Sequence, residues 1–394
     1  MVATAQHLTD LATELTARGH EVTVMTGDRG YDDPTLRFPR RERWKNVKII
    51  RIRSWSLGKT SKWRRALNFA SFLTAGAFRL LTLERFDVVV ALTSPPLISF
   101  LATLFVKLKG GRFCFWVMDL NPDEAIAAGW LRQDSTVARL LEWMLRYSLR
   151  RADKTMALDR FMKERLVAKG ADADRIAVVS PWSHDDTVAY SQAGREAFRE
   201  QHGLTDKFVV MYSGNHSPCH PLDSLMSAAL ELKNRDDIVF CFIGGGSELA
   251  KVREFSAQHE LCNVKVLPYQ PLEELSSSLS AADLHVVVMG DAFVGIVHPC
   301  KIYNIISIGT PTLYLGPEPS HVTDLMDGYQ QVYPAHNGNV AGRILEIQQL
   351  GPRLLTDEIQ TKFSKHTLLP ELIGILEAEP ESERYSFARE VTLP

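Results

Sequence analysis

One short run of the sequence, residues 295–316 (GIVHPCKIYNIISIGTPTLYLG), places a cation at the start of an expected helix. Pro299 suits the first helical position, where a missing N–H costs nothing, with His298 ahead of it as the cap. Gly309 suits a left-handed stop, and residues 311–315 read as a short buried strand. Lys301 then stands where the helix macrodipole disfavours a cation by a few tenths of a kcal/mol, unless an anion is bound at the exposed N–H groups. A phosphate fits that arrangement. An ordinary αβ unit with a solvated lysine fits these residues equally well.

In open α/β sheets, ligands sit beyond the carboxyl ends of the strands. Three further runs occupy such positions: 214–220 (GNHSPCH), 244–248 (GGGSE) and 268–270 (PYQ). Glycines there let backbone N–H groups approach a diphosphate, and His220 or Lys301 can add charge. A tight turn explains Gly244, Gly245 and Gly246 equally well. No GxGxxG or Walker A pattern is present, which gives no support to a dinucleotide dehydrogenase or a P-loop enzyme. His216, Cys219 and His220 match no zinc-ligand spacing, so neither a metal nor a cofactor is expected. Earlier in the chain, a strand over 112–118 delivers Asp119, followed by Pro122, Asp123 and Glu124. A carboxylate there either faces positive charge developing at an anomeric carbon or caps the following helix.

Two alternating series of strands and helices are needed to position these residues. A helical stripe over 6–17, stopped by Gly19, precedes a strand over 21–26, so the first βαβ unit lacks the strand expected before its helix. Strands follow at 47–53, 86–92, 112–118, 154–157 and 176–179, then at 208–213, 238–243, 264–267, 284–288 and 311–315. That rhythm predicts parallel sheets covered on both faces. The polar stretch from 183 to 206 reads as a linker between a domain over 1–182 and one over 207–364. Residues 365–394 add a helix and a polar, disordered-looking tail.

A chain of 394 residues suits two domains, and a net charge of −2 argues against nucleic acid as the main partner. The charge is uneven: Arg51, Arg53, Lys59, Lys62, Arg64, Arg65, Arg79 and Arg85 are opposed only by Glu84. An apolar helix over 61–83, flanked by Trp55 and Trp63, suits either an anionic membrane surface or the core. Five cysteines without a CxxC pair fit a reduced, cytoplasmic protein. Residues 89–106 are apolar, but Pro95 and Pro96 break them into a strand, a turn and a helix rather than a membrane span.

Runs such as TAQHLTDLATELTARGHEVTVMTG (4–27), FWVMDLNPDEAIAAG (115–129), FVVMYSGNHSPCHPLDSLMSAAL (208–230), FCFIGGGSE (240–248) and HPCKIYNIISIGTPTLYLGP (298–317) are similar to the family-4 retaining glycosyltransferases of the GT-B fold. They most resemble the branch that builds colanic acid, O-antigen and capsule. The resemblance implies two Rossmann-like domains around a cleft and metal-independent hexosyl transfer with retention. The donor would be a nucleotide-sugar, most simply a UDP-sugar, and the acceptor a lipid-linked or growing glycan at the inner face of the membrane. Carried over by position, Gly214, Asn215 and His220 would meet the phosphates or sugar, beside Gly244 and Gly245. Tyr269 and Gln270 would meet the base, and the amides of Gly295, Ile296 and Val297 the sugar. Pro299 and Lys301 would hold the α-phosphate, and Asp119 and Glu124 would lie in the reaction region. The family's Glu-x7-Glu pair is replaced by Ile296 and Asn304; asparagine can still bond a ribose hydroxyl, isoleucine cannot bond a sugar. Two other readings share the architecture: a nucleotide-sugar 2-epimerase and a non-catalytic nucleotide-sugar binder.

Overall fold

The computed structural model describes residues 3–30, 35–55, 62–183, 188–326, 332–334, 338–351 and 357–378. The N-terminal half contains strands β1 (Thr23–Gly27), β2 (Arg41–Trp44), β3 (Val47–Ile52), β4 (Val88–Ala91), β5 (Arg112–Trp116), β6 (Lys154–Ala157) and β7 (Ile176–Val178). Its helices are α1 (Ala3–Ala17), α2 (Lys62–Leu81), α3 (Ile98–Lys109), α4 (Asp123–Ala127), α5 (Thr136–Leu149) and α6 (Arg160–Ala168). The strands form two sheets, β1–β3–β2 and β4–β5–β6–β7, and no described strand joins them. Every expected strand of this half is present.

β2 was not expected. It pairs antiparallel with β3 through a two-residue turn at Lys45 and Asn46, both with positive φ. Its sequence, RERW, has no apolar alternation, so only the turn geometry betrays it. Residues 89–106 fall into β4, a turn and α3, as the two prolines dictate, and no described helix is long and apolar enough to cross a membrane. Lys59 lies outside the described residues. So does the polar tail from 379.

In the C-terminal half, one parallel sheet has the order β10–β9–β8–β11–β12–β13. Its strands are β8 (Phe208–Asn215), β9 (Ile238–Gly245), β10 (Val264–Leu267), β11 (Leu284–Val288), β12 (Thr312–Leu315) and β13 (Val332–Pro334). Helices α7 (Gln192–His202), α8 (Asp223–Glu231), α9 (Leu249–Gln258), α10 (Leu275–Ser280), α11 (Lys301–Ile308), α12 (His321–Met326), α13 (Val340–Leu350) and α14 (Asp357–Lys362) accompany them. Every residue of β11 and β12 is buried, as expected for strands covered on both faces. Half of the stretch read as a linker is α7, capped by Ser191 and docked by Arg195 and Arg199 on Asp283. Only Phe198 of α7 is buried, which is why its apolar signal was weak.

The last helix, α15 (Lys365–Glu377), returns to the N-terminal half. Lys365 pairs with Asp10 of α1 at 3.3 Å, and Arg112 at the start of β5 donates to the carbonyls of Leu376 and Ala378. The chain thus crosses between its halves twice, and one apolar cluster contains residues of both.

Candidate active site

α11 begins at Lys301, two residues later than expected. Pro299 lies ahead of the helix, and His298 does not cap it. Gly309 does end the helix in the left-handed conformation, with φ 80°. The Lys301 ammonium is buried with no hydrogen-bond partner among the described residues, 3.6 Å from the centre of the Tyr212 ring. Burial pushes its pKa down to about 7. Gly214, at the end of β8, faces it: a Cβ there would lie 3.2 Å from Nζ. Next to it in register, Gly244 of β9 has φ 131°, and a Cβ would meet the Gly214 carbonyl at 2.0 Å. Only glycines let the two strand ends approach each other and the lysine so closely.

The histidines beside Lys301 bring no charge, contrary to the expectation for His220. Burial, reinforced by Lys301, pushes His220 down to about 3 and His216 to about 4. His220 is therefore neutral near pH 7, and its Nδ1–H donates to the Val288 carbonyl at 2.6 Å. Lys301 supplies the cation in this cluster.

From the other half comes Asp119, just past β5. It does not cap α4, which starts at Asp123 behind Pro122 with no side-chain cap. Its backbone N–H donates to Thr93 Oγ1 at 3.2 Å. Burial, then the neighbouring Glu124, raises the Asp119 carboxyl to about 7; burial also raises Glu124, opposed by a hydrogen bond from Asn121. Cys219 and Cys300 of the C-terminal half lie within electrostatic reach of Asp119. That reach puts the carboxyl at the boundary with the half that carries Lys301.

The segment before α11 forms the seam between the halves. Leu120 N–H donates to the Ile296 carbonyl at 2.8 Å, and Arg165 Nε–H donates to the Val294 carbonyl at 2.6 Å. Arg160 bonds both oxygens of Asp324 at 2.6 and 2.9 Å. Gly295 has φ 68°, and a Cβ would press to 2.7 Å on the Phe161 backbone. Asp159, which caps α6, accepts from His298 Nδ1–H at 2.7 Å, and the His298 Nε2 lies 2.7 Å from the Tyr303 hydroxyl. Burial works to raise Asp159, yet the hydrogen bond and charge of His298 and the Met162 N–H outweigh it and hold the carboxyl at about 2. His321 stacks on His298 at 3.8 Å between ring centres, and burial holds it neutral.

With this arrangement in view, comparison with known proteins decides the family. Residues 3–182 match the family described as glycosyl transferase 4-like domain, and residues 194–313 match glycosyl transferases group 1. The chain belongs to the family-4 glycosyltransferases. A putative colanic acid biosynthesis glycosyl transferase, WcaI of Escherichia coli K12, is 26% identical over 75% of this chain and 75% of its own length. The probable glycosyltransferase WbjE of Pseudomonas aeruginosa is 24% identical over 62% of this chain and 61% of its own. Among solved structures, sucrose-phosphate synthase from Thermosynechococcus elongatus superposes with a TM-score of 0.70 at 14% identity, covering 97% of this chain and 93% of that one. Anabaena HepE, in complex with UDP-glucose, does so with 0.62 at 13%, covering 98% and 94%. These likenesses establish the GT-B fold.

In this glycosyltransferase the expected residues divide into three groups. Gly214, Gly244 and Lys301 converge on one point, and Gly245 and Asn215 sit at the ends of the same two strands, where the Asn215 carbonyl accepts from the Tyr212 hydroxyl. Tyr269 stands exposed at the rim with its ring edge on Gly245, and Gln270 beside it bonds the Pro268 carbonyl. Asn304 lies on α11 three residues beyond Lys301, half-buried. The third group departs from expectation: the Ile296 and Val297 amides both donate to the Phe293 carbonyl, and Ile296 is buried in the seam. Those two N–H groups are taken up inside a turn rather than facing a sugar. Asp159, Tyr303 and His321 were missed, although Asp159 follows β6 as Asp119 follows β5, and the strand-end rule reaches both.

Proposed function

We propose that the enzyme moves a hexosyl group from a UDP-sugar to a lipid-linked or growing glycan during surface polysaccharide synthesis, with retention of configuration and without a bound metal. The observation that carries this reading is the buried, unpartnered Lys301 ammonium at the head of α11, with Gly214 opposite it. Such a group is incomplete without an anion, and a diphosphate at this helix start meets both the ammonium and the positive end of the helix dipole; the Ile302 and Tyr303 N–H groups themselves donate to the Pro299 and Cys300 carbonyls. The UDP-glucose held by HepE and the colanic acid role in the name of WcaI support the choice of donor and pathway class.

In the reaction, the bond between the anomeric carbon and the β-phosphate oxygen breaks as negative charge gathers on the diphosphate. Lys301 stabilises that charge from a site where water does not compete, so the effect is large. Asp119, ionised, faces the positive charge left at the anomeric carbon. The acceptor hydroxyl attacks on the face the diphosphate leaves and passes its proton to the departing phosphate oxygen, which retains configuration. Acceptance at the inner membrane face agrees with the exposed Trp55 and Phe78 beside the basic stretch.

The test is transfer or donor hydrolysis from UDP-sugars with and without EDTA, with product anomers read by NMR. Retained configuration and EDTA-resistant turnover are expected. Inverted product, or activity only with added metal, would overturn the reading.

A further inference from the structure

Lys301 and Asp119 act together only if the two halves hold them in register, and the turn that leads to Lys301 is held at two points. The Ile296 carbonyl accepts from the N–H of Leu120, the residue after Asp119, at 2.8 Å. A single bond of this kind leaves the turn free to pivot. His298 supplies the second point, through Asp159 Oδ2 of the N-terminal half at 2.7 Å. Asp159 is itself fixed, since its other oxygen accepts from the Met162 N–H at 2.8 Å as the cap of α6. From His298 the position carries forward with little slack. Pro299 locks φ, the Cys300 thiol donates to the His298 carbonyl at 3.2 Å, and α11 starts at the next residue.

The same ring also grips the helix. His298 Nε2 lies 2.7 Å from the Tyr303 hydroxyl, and the two rings stack in parallel, 5.7 Å between centres and 5° apart in plane. At about 100° of rotation per residue, Tyr303 stands on nearly the opposite face of α11 from Lys301. Lys301 therefore meets Tyr212 of β8, while Tyr303 packs on Phe363 at 5.2 Å between ring centres. The His298 and Asp159 side chains are 1% and 7% exposed. Apolar side chains would serve a seam that needed only stability at least as well as this buried carboxylate and its partner. What the hydrogen bonds add is direction.

We propose that His298 is a positioning residue for the transfer reaction: by joining Asp159 to Tyr303 it fixes how α11 rises from the seam, and so aligns Lys301 with Asp119 across the cleft. It acts through Lys301 rather than on the substrate. The inference rests on Lys301 and Asp119 acting as proposed above. Binding of UDP needs the C-terminal half alone, whereas the transition state needs both halves in register, and a misplacement of about 1 Å there costs up to about a hundredfold in rate.

Three substitutions in the full chain test the bridge, with kcat measured on the UDP-sugar that the parent turns over fastest and UDP affinity measured by calorimetry. His298→Phe keeps a stacked ring and removes both bonds; kcat is expected to fall about tenfold or more while UDP affinity stays within about twofold of the parent's. Tyr303→Phe removes the hydroxyl alone. In His298→Asn the amide Nδ2 stands where the ring Nδ1 stood, so the bond to Asp159 is kept and the one to Tyr303 is lost. These last two variants break the same link: each is expected to lower kcat about three- to tenfold, and the double variant to be no slower than the slower single. Unchanged kcat in variants whose circular dichroism matches the parent's, equal losses in kcat and UDP affinity, or additive losses in the double variant would overturn the proposal. Should His298→Phe fail to fold, the Tyr303→Phe and His298→Asn pair decides by the same criteria. Failure of the donor reading is read independently, as absence of UDP binding in the parent chain or undiminished kcat in Lys301→Met.

Discussion

The two sides of the cleft reach the same point on the pH scale from opposite ends. Burial lowers Lys301 of the C-terminal half from 10.5 to about 7, and burial with Glu124 raises Asp119 of the N-terminal half from 3.8 to about 7. The two groups differ in what they await. Lys301 is a cation without an anion, completed by a diphosphate; Asp119 is a carboxyl without a cation, completed by positive charge at an anomeric carbon. Each is destabilised when charged in the unliganded protein; Lys301 is relieved when the donor binds and Asp119 only as positive charge develops in the transition state, so burial that weakens the fold strengthens differential binding of the transition state.

Removing either side breaks the symmetry, and the lysine side should break furthest. Lys301→Met is expected to lower kcat at least a hundredfold and to weaken UDP-sugar binding. Its melting temperature should match or exceed the parent's, because an unpartnered buried amine is replaced by an apolar chain of similar length. Loss of activity with a lowered melting temperature would mean the lysine is structural. Asp119→Asn should reduce kcat about ten- to a hundredfold while donor affinity, measured by calorimetry, is unchanged. If affinity falls equally, Asp119 belongs with the donor and the contrast fails.

A smaller effect is expected from Gly214→Ala. Its Cβ would stand 3.2 Å from Nζ at φ 134°, so donor affinity should fall about tenfold with a stability loss of about 1–2 kcal/mol by urea denaturation. The pH profile sharpens the comparison further. Lys301 is charged below about pH 7 and Asp119 above it, so turnover that needs both charges should peak near pH 7 and fall on each side. Lys301→Met should flatten the alkaline limb and Asp119→Asn the acid limb. An unchanged profile in both would remove the pair from the chemistry.

Much of this architecture is written in periodicity. Strand β6, the Gly309 stop and the split of residues 89–106 at two prolines all follow from local rules, because each is dictated by residues adjacent in sequence. What stayed hidden depends on distant partners. β2 forms because Lys45 and Asn46 adopt a turn that lays RERW against β3. His298 reads locally as a cap, yet Asp159, 139 residues away, and Tyr303 claim both of its ring nitrogens. The neutrality of His220 and the half-charged state of Lys301 are likewise set by burial, which no motif records. Ile296, read as a departure from an acidic pair, proves to be a seam residue whose carbonyl binds Leu120.

The central claim, that Lys301 is the anion's partner, is tested most directly by the protons that accompany donor binding. UDP-glucose is suitable because its diphosphate is a diester with no proton to exchange near pH 7. Calorimetry at pH 7 in buffers of different ionisation enthalpy should show uptake of about half a proton in the parent chain and none in Lys301→Met, since a group with a pKa of about 7 is half protonated before the anion arrives. Equal proton exchange in both chains, or none in the parent, would contradict the account.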